Sequence, residues 1–320
     1  MSGVRILNAE PKGYSPKARK ILDTLGEVTE KALDRDGLLK TMAGCEVLIA
    51  RFGHRMDEEL FAAAPDLRAL VSATTGLDHI DLEAAADHSV VVLSLKGETE
   101  FLKEMSATAE LAWGLLLAVL RHIPQAAGSV KDGIWDRDAF RGNELRGKQL
   151  GILGLGRLGH MVAEYGRVFG MSVAAYDPYA SDWPMGVEIH SAAEDLVEDA
   201  QVLSIHVPLN DETRGLIDGE MLARLPEGAV LINTSRGAVV DEPALLTALG
   251  SGHLAGAGLD VVADELSGGP SQALLAHVRD NDNLIITPHM GGATVESMEK
   301  AEVFMAQKLT RFLESEERRE

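Results

Sequence analysis

The residues best suited to chemistry in this chain follow short apolar runs. The first group is Gln149–Gly159, QLGILGLGRLG, which sets Gly154, Gly156 and Gly159 in a G-x-G-x-x-G array after a strand-like segment and at the mouth of a helix. Each glycine has a separate reason to be there. Gly154 permits the tight turn out of the strand, Gly156 leaves room for a pyrophosphate to approach the backbone, and Gly159 lets the helix pack closely on the sheet. The N–H groups of Arg157 and Leu158 then lie at a helix N-terminus, where an anion is favoured. A second strand pattern, Ser172–Tyr176, ends at Asp177. That spacing suits the acidic residue that accepts the adenosine ribose hydroxyls of NAD. Three more segments follow apolar runs: NTSRG at Asn233–Gly237 with Arg236, LDVVADE at Leu259–Glu265 with Asp260 and Glu265, and TPHMGG at Thr287–Gly292 with His289. Ligands of doubly wound sheets bind at the carboxyl ends of strands, so these four side chains are expected to converge on one crevice with the glycine turn.

The elements that must position them read as two successive α/β units. In the first, strand patterns at Val4–Leu7, Val47–Ala50, Ala69–Ser72 and Val90–Leu93 alternate with helical patterns at Pro16–Leu25, Arg35–Met42, Asp57–Ala64 and Asp81–Ala86. The alternation predicts parallel sheets. A long apolar helix is expected over Ser106–Gln125 and a looped stretch over Gly128–Arg146. The second unit then has strands at Gln149–Leu153, Ser172–Tyr176, Val202–His206, Val230–Asn233, Gly256–Asp260 and Leu284–Thr287. Ser191 and Glu194 have the spacing of a capping box, and Asp241 is suited to an N-cap. A last helix is expected over Thr294–Phe312, with the charged tail Glu314–Glu320 frayed.

Bulk properties narrow the function classes. The 320 residues suffice for two ordinary domains, and 46% are hydrophobic, enough for two cores. The formal net charge of −20 argues against a nucleic-acid partner, which needs a basic surface. It also requires any anionic substrate to find a local positive pocket. The single cysteine, Cys45, excludes an internal disulfide and reads as a buried filler. Met1–Leu7 enters a strand pattern with no leader signature, and no apolar run is long enough to span a bilayer. A cytoplasmic protein is therefore expected. His54, His79 and His88 have no metal-ligand spacing, so no metal site is expected.

On the G-L-G-R-L-G turn, the YDP segment at Tyr176–Pro178 and the ordered Arg, Glu and His motifs, the chain resembles the NAD-dependent D-2-hydroxyacid dehydrogenases over nearly its whole length. The resemblance implies an α/β fold of two Rossmann-like doubly wound parallel-sheet domains. An NAD-binding domain at 102–289 would be inserted into a flavodoxin-like substrate domain at 1–101 plus 290–320. It implies that Arg236 clamps the carboxylate or carbonyl oxygen of a small 2-keto or 2-hydroxy acid, for which a forked guanidinium is suited. His289 would act as acid in ketone reduction and base in alcohol oxidation, and Glu265 would pair with it. Asp260, Thr234, Ser235, Arg236, His289, Gly291 and Gly292 would line the nicotinamide half of the cofactor. His206, Val207, Pro208 and Thr213 would pass near its ribose and pyrophosphate. In the first domain Thr74–Asp81 resembles the loop whose N–H groups, at Thr75, Gly76 and Leu77, hold the substrate carboxylate. Arg51 resembles a position near the substrate. A homodimer is implied, and the apolar helix Ser106–Gln125 is a candidate for its interface. No C-terminal regulatory domain is expected.

Two segments depart from the family pattern. Glu265 is followed by Leu266 where proline is common, and Leu95–Met105, LKGETEFLKEM, replaces an asparagine- and proline-containing hinge. Both leave hydride transfer credible and leave the substrate open: hydroxypyruvate or glyoxylate, 3-phosphoglycerate, or a lactate-like or branched acid. The competing readings are a formate or phosphite dehydrogenase of the same superfamily and a catalytically idle NAD-binding regulator of corepressor type. The intact Arg236, Glu265 and His289 set speaks against the regulator.

Overall fold

A computed structural model describes residues 3–318 and divides the chain into two units. Unit 1 comprises Met1–Met105 and Ala293–Glu320, and unit 2 comprises Ser106–Gly292. Unit 2 is thus inserted, in sequence, into unit 1.

Unit 1 is built on β1 (Val4–Asn8), β2 (Gly26–Glu30), β3 (Val47–Ile49), β4 (Ala69–Ser72) and β5 (Val91–Ser94). All pairings are parallel, in the order β2-β1-β3-β4-β5, which is the flavodoxin-like arrangement. Its helices are α1 (Pro16–Asp23), α2 (Arg35–Thr41), α3 (Glu58–Ala62), α4 (Leu82–Asp87), α5 (Thr99–Leu102) and the C-terminal helix Val295–Glu317. Successive strand residues point to opposite faces. Leu7, Leu48 and Leu70 therefore pack with Leu38, Leu60 and Phe61 of α2 and α3. Ile6, Val47, Ile49 and Val71 pack instead with Leu22 of α1 and with Met305 and Leu309 of the C-terminal helix. Helix starts follow side-chain chemistry: Ser15, Asp34, Asp57, Asp81 and Thr294 each accept backbone N–H groups from the first turn.

Unit 2 carries seven parallel strands: β6 (Gln149–Leu153), β7 (Ser172–Tyr176), β8 (Val187–Ile189), β9 (Val202–Ile205), β10 (Ala229–Asn233), β11 (Leu254–Leu259) and β12 (Leu284–Ile286). Their order is β12-β11-β10-β9-β6-β7-β8. Numbered within the unit, this is the dinucleotide-binding order with one added strand, and the order reverses between β6 and β9. The helices are α6 (Ala107–Leu120), α7 (Ile123–Lys131), α8 (Arg157–Val168), α9 (Ala193–Asp199), α10 (Gly219–Arg224), α11 (Glu242–Gly250) and α12 (Gln272–Asp280). α6 and α8 cover one sheet face and α9 to α12 the other.

Several sequence expectations are corrected here. β2 and β8 are edge strands in polar segments, GEVTE and VEI, too weakly apolar to read as strands. The expected helix Ser106–Gln125 is two helices, broken at His122, whose φ of 52° is left-handed. α7 also takes in residues 128–131 of the expected loop. The apolar faces of α6 do not await a partner: Ala109, Trp113, Leu116 and Val119 lie in the core of unit 2. Ser191 does not cap α9, whose N-cap is Ala192 with no side-chain bond. The C-terminal helix continues to Glu317, with Arg68 donating to Glu316 at 2.5 Å. Residues 319–320 of the expected frayed tail lie outside the described residues. Cys45 is buried, and Asp241 caps α11 through Ala244 N–H at 2.9 Å.

Candidate active site in unit 2

The glycine turn leaves β6 at the point where strand order reverses. Gly154 has φ +91°, and a Cβ there would stand 2.8 Å from the carbonyl of His206, which follows β9. A Cβ on Gly159 would stand 2.2 Å from the Gly154 carbonyl oxygen, so the first turn of α8 rests directly on the loop. Gly156 is different: a Cβ there would meet nothing within 4 Å. The three glycines therefore serve turn, packing and open approach, and the open one lies at the N-cap of α8, where N–H groups attract anions. Arg157 and Leu158 are half-buried at that helix start, and burial lowers the Arg157 pKa.

Asp177 follows β7. Its Oδ2 accepts from Leu155 N–H at 2.8 Å and its Oδ1 from Tyr179 N–H at 2.9 Å, so the carboxylate is held against the glycine turn. His206 Nε2 pairs with Ser204 Oγ at 2.8 Å, while its Nδ1 is buried without a hydrogen-bond partner. Enclosure pushes the ring down to about 4, so it is neutral near pH 7. Val207 packs against the core, and Pro208 is exposed. Thr213 Oγ1 donates to the Pro208 carbonyl at 2.6 Å, which makes Thr213 a brace for this loop.

The fit to a dinucleotide is direct. The open face of Gly156, the anchored Asp177 carboxylate and the buried Thr234 Oγ1, which has no hydrogen-bond partner, present a cradle, an acceptor and an unused hydroxyl at strand ends of one sheet. Among the described residues no group of three or more His, Cys, Asp or Glu is placed to hold a metal ion.

β10, β11 and β12 supply the remaining residues. After β10, buried Asn233 holds the turn: its Oδ1 accepts from Ser235 N–H and Oγ, and its Nδ2 donates to the Arg236 carbonyl at 2.9 Å. Half-buried Arg236 donates from Nη1 to the Ser235 carbonyl at 2.7 Å. After β11, Asp260 is 1% exposed. Its Oδ1 accepts from Thr287 Oγ1 at 2.5 Å and Met290 N–H at 2.9 Å, and its Oδ2 accepts from Gly291 N–H at 2.7 Å. His289 N–H donates to the Asp260 carbonyl at 2.9 Å. Asp260 therefore shapes the TPHMGG turn, on which His289 takes a left-handed φ of 47° that a non-glycine residue adopts only when its surroundings impose it. Thr287 starts this turn, and exposed Gly292 closes it.

On that turn His289 Nδ1 lies 2.8 Å from Glu265 Oε1. Both side chains are about one-quarter exposed, 23% and 27%. The carboxylate fixes the ring orientation through Nδ1–H and leaves Nε2 as the ring's other nitrogen. Sequence reasoning missed Asn233; its place in NTSRG was on view, but its role depends on bonds within the turn.

Unit 1 carries the other expected residues. The segment 75–77 is ordered by Thr74 Oγ1, which donates to the Gly76 carbonyl at 2.9 Å, and by Leu77, which packs on the core. Asp81 at its end caps α4 through Ala84 N–H at 3.0 Å. Arg51 Nη2 donates to the carbonyls of Glu10 at 2.9 Å and Lys12 at 3.1 Å and lies 3.7 Å from buried Glu302. It is thus embedded in structural contacts.

Comparison with known proteins supplies independent findings. Residues 113–291 match the sequence model described as D-isomer specific 2-hydroxyacid dehydrogenase, NAD binding domain. The chain is 36% identical over 98% of its length to D-3-phosphoglycerate dehydrogenase of Methanocaldococcus jannaschii, of which it spans 58%. It is 35% identical over 88% of its length to hydroxypyruvate reductase of Thermotoga maritima, of which it spans 90%. The crystal structure of D-lactate dehydrogenase from Aquifex aeolicus, complexed with NAD and lactic acid, superposes with a TM-score of 0.83 at 27% identity, covering 97% of this chain and 95% of that one.

Proposed function

The chain belongs to the D-isomer specific 2-hydroxyacid dehydrogenase family, and from that premise we propose that it transfers a hydride between NAD(H) and a small D-2-hydroxy acid or its 2-keto acid, with His289 as acid and base. The observation that carries this reading is the 2.8 Å His289–Glu265 pair on a turn shaped by Asp260. The nicotinamide supplies or takes up the hydride when NAD is bound. Arg236 takes the substrate carboxylate or carbonyl oxygen through its forked donors. His289 Nε2 gives a proton to the ketone oxygen during reduction and takes it back during oxidation. Glu265 accepts Nδ1–H and orients the ring. Gly154, Gly156, Arg157, Leu158 and Gly159 hold the pyrophosphate, Asp177 the adenosine ribose, and Thr234 and Ser235 the nicotinamide side, with His206, Val207, Pro208 and Thr213 bordering the cofactor. In unit 1, Thr75, Gly76 and Leu77 are assigned to the substrate carboxylate and Arg51 to substrate binding.

The relatives' names point to acids such as 3-phosphoglycerate and hydroxypyruvate as first candidates. The test is loss of NADH absorbance with a panel of 2-keto acids, in wild type and in His289→Ala. Turnover should fall on the order of 10²–10⁴-fold in the variant while NADH still binds. Undiminished turnover removes His289 from the mechanism. NADH binding with no turnover on any acid replaces the enzyme with an NAD-binding regulator.

A further inference from the structure

We propose that Glu242 is a positioning residue that holds the loop carrying Glu265 and so keeps the Glu265–His289 pair made. The inference rests on the dehydrogenase reading of that pair. Between Asp260 and Glu265 the chain leaves the sheet. Downstream of Glu265 a single 3-10 turn, Glu265–Ser267, leads into Gly268 and Gly269, at φ 134° and 87°, with Gly269 N–H donating to the Glu265 carbonyl at 3.1 Å. Upstream, two contacts hold the loop. A Cβ on Gly237 would stand 1.9 Å from the Val262 carbonyl carbon and 2.3 Å from Ala263 N, so the segment after Arg236 and the loop before Glu265 are in direct backbone contact. Glu242 then binds the same place by a hydrogen bond: its Oε1 accepts from Ala263 N–H at 2.7 Å.

Glu242 is well placed for this. It is the first residue of α11, a helix start fixed by the Asp241 cap, where a carboxylate is favoured by the helix dipole. Burial raises its pKa and the charge of Asp264 adds to this, while the Ala263 N–H works in the opposite direction. The charged groups around the chain of contacts are Glu265 on the His289 ring, Asp260 beneath the turn, Arg236 beside Gly237 and Asp264 next to Ala263. Of these, the ring's partner is Glu265. Loss of the Glu242 acceptor frees the loop, and Glu265 ceases to hold Nδ1–H and to orient the ring.

The experiment follows exchange of the His289 Nδ1–H proton with water by NMR in the full-length protein with NAD present, in wild type, Glu242→Ala, Glu242→Asp and Glu242→Gln. In Glu242→Ala that proton should exchange faster than in wild type, by about tenfold or more, because the Glu265 oxygen no longer holds it. The kcat of this variant should fall about tenfold or more, with NADH affinity by fluorescence within twofold. Glu242→Asp keeps the charge but is one methylene too short, and should change the same way; it also serves if the alanine variant is too unstable to measure. Glu242→Gln should restore both values, because the amide oxygen accepts the same N–H. Unchanged Nδ1–H exchange in the alanine and aspartate variants overturns the proposal, as does a glutamine variant no better than alanine. The exchange measurement needs no turnover. Faster Nδ1–H exchange in the variants of a protein inactive on every 2-keto acid would therefore sink the dehydrogenase reading and leave the positioning role standing.

Discussion

At the scale of the residue, Asp177 is the side chain whose surroundings say most about cofactor choice. Backbone N–H groups of Leu155 and Tyr179 hold its two oxygens, so the charge sits in a fixed place beside the glycine turn. A phosphate on the adenosine ribose would meet that charge at close range, and Pro178, Tyr179, Ala180 and Ser181 include no cation to neutralise it. NAD should therefore be preferred to NADP, by a factor on the order of 10² or more in kcat/KM. Asp177→Ala should narrow that ratio and also weaken NAD itself, since Leu155 and Tyr179 lose their acceptor. Equal use of the two cofactors by wild type, or an unchanged ratio in the variant, contradicts this role.

At the scale of the element, the C-terminal helix matters more than its place at the chain end suggests. Its Glu302 is 2% exposed and accepts from Ser15 N–H at 2.6 Å, at the very residue that caps α1. Arg51 approaches the same carboxylate at 3.7 Å. Burial raises the Glu302 pKa, opposed by the Ser15 N–H and Arg51. Glu302→Ala leaves a buried N–H without its acceptor and should cost about 1–3 kcal/mol, whereas Glu302→Gln keeps an acceptor and should cost less. Urea unfolding of the three proteins measures it; equal stability of wild type and Glu302→Ala would show that the junction contributes nothing. Other elements teach where sequence patterns mislead. Edge strands β2 and β8 lack an apolar signature because they bury little, and the break between α6 and α7 falls at left-handed His122, with Pro124 in the first turn of α7 as the sequence mark of the new helix start.

At the scale of the whole molecule, no helix among the described residues is long and apolar enough to cross a membrane. Because α6 spends its apolar faces inside unit 2, a homodimer needs another surface. Ile123, Val130, Ile134 and Trp135 are 51%, 52%, 56% and 87% exposed along α7 and the turn after it. We predict a homodimer that uses this stretch, and Trp135→Glu should convert it to monomer, because a charge at the core of an interface is costly. Light scattering at micromolar concentration decides the matter: wild type at the 34.3 kDa of one chain, or an undissociated Trp135→Glu, would contradict the prediction.

The fold class and the motifs at the strand ends are legible in the amino-acid sequence. Parallel strands buried on both faces must be continuously apolar, so β3, β4, β6, β9 and β10 stand out as short hydrophobic runs. Glycines demanded by a turn, a contact and an open approach leave a spacing that is visible in one dimension. The same holds for Arg236, Glu265 and His289, whose motifs sit at strand ends. Tertiary structure alone decided how those residues are held. That Asp260 closes on Met290 and Gly291 and that Glu242 reaches Ala263 are relations between segments 21 to 31 residues apart. Such bonds depend on strand order and on the exit path of each loop, which no local pattern encodes. For the same reason the apolar helix α6 could be recognised as buried, but only the packed sheet shows that its own unit covers it.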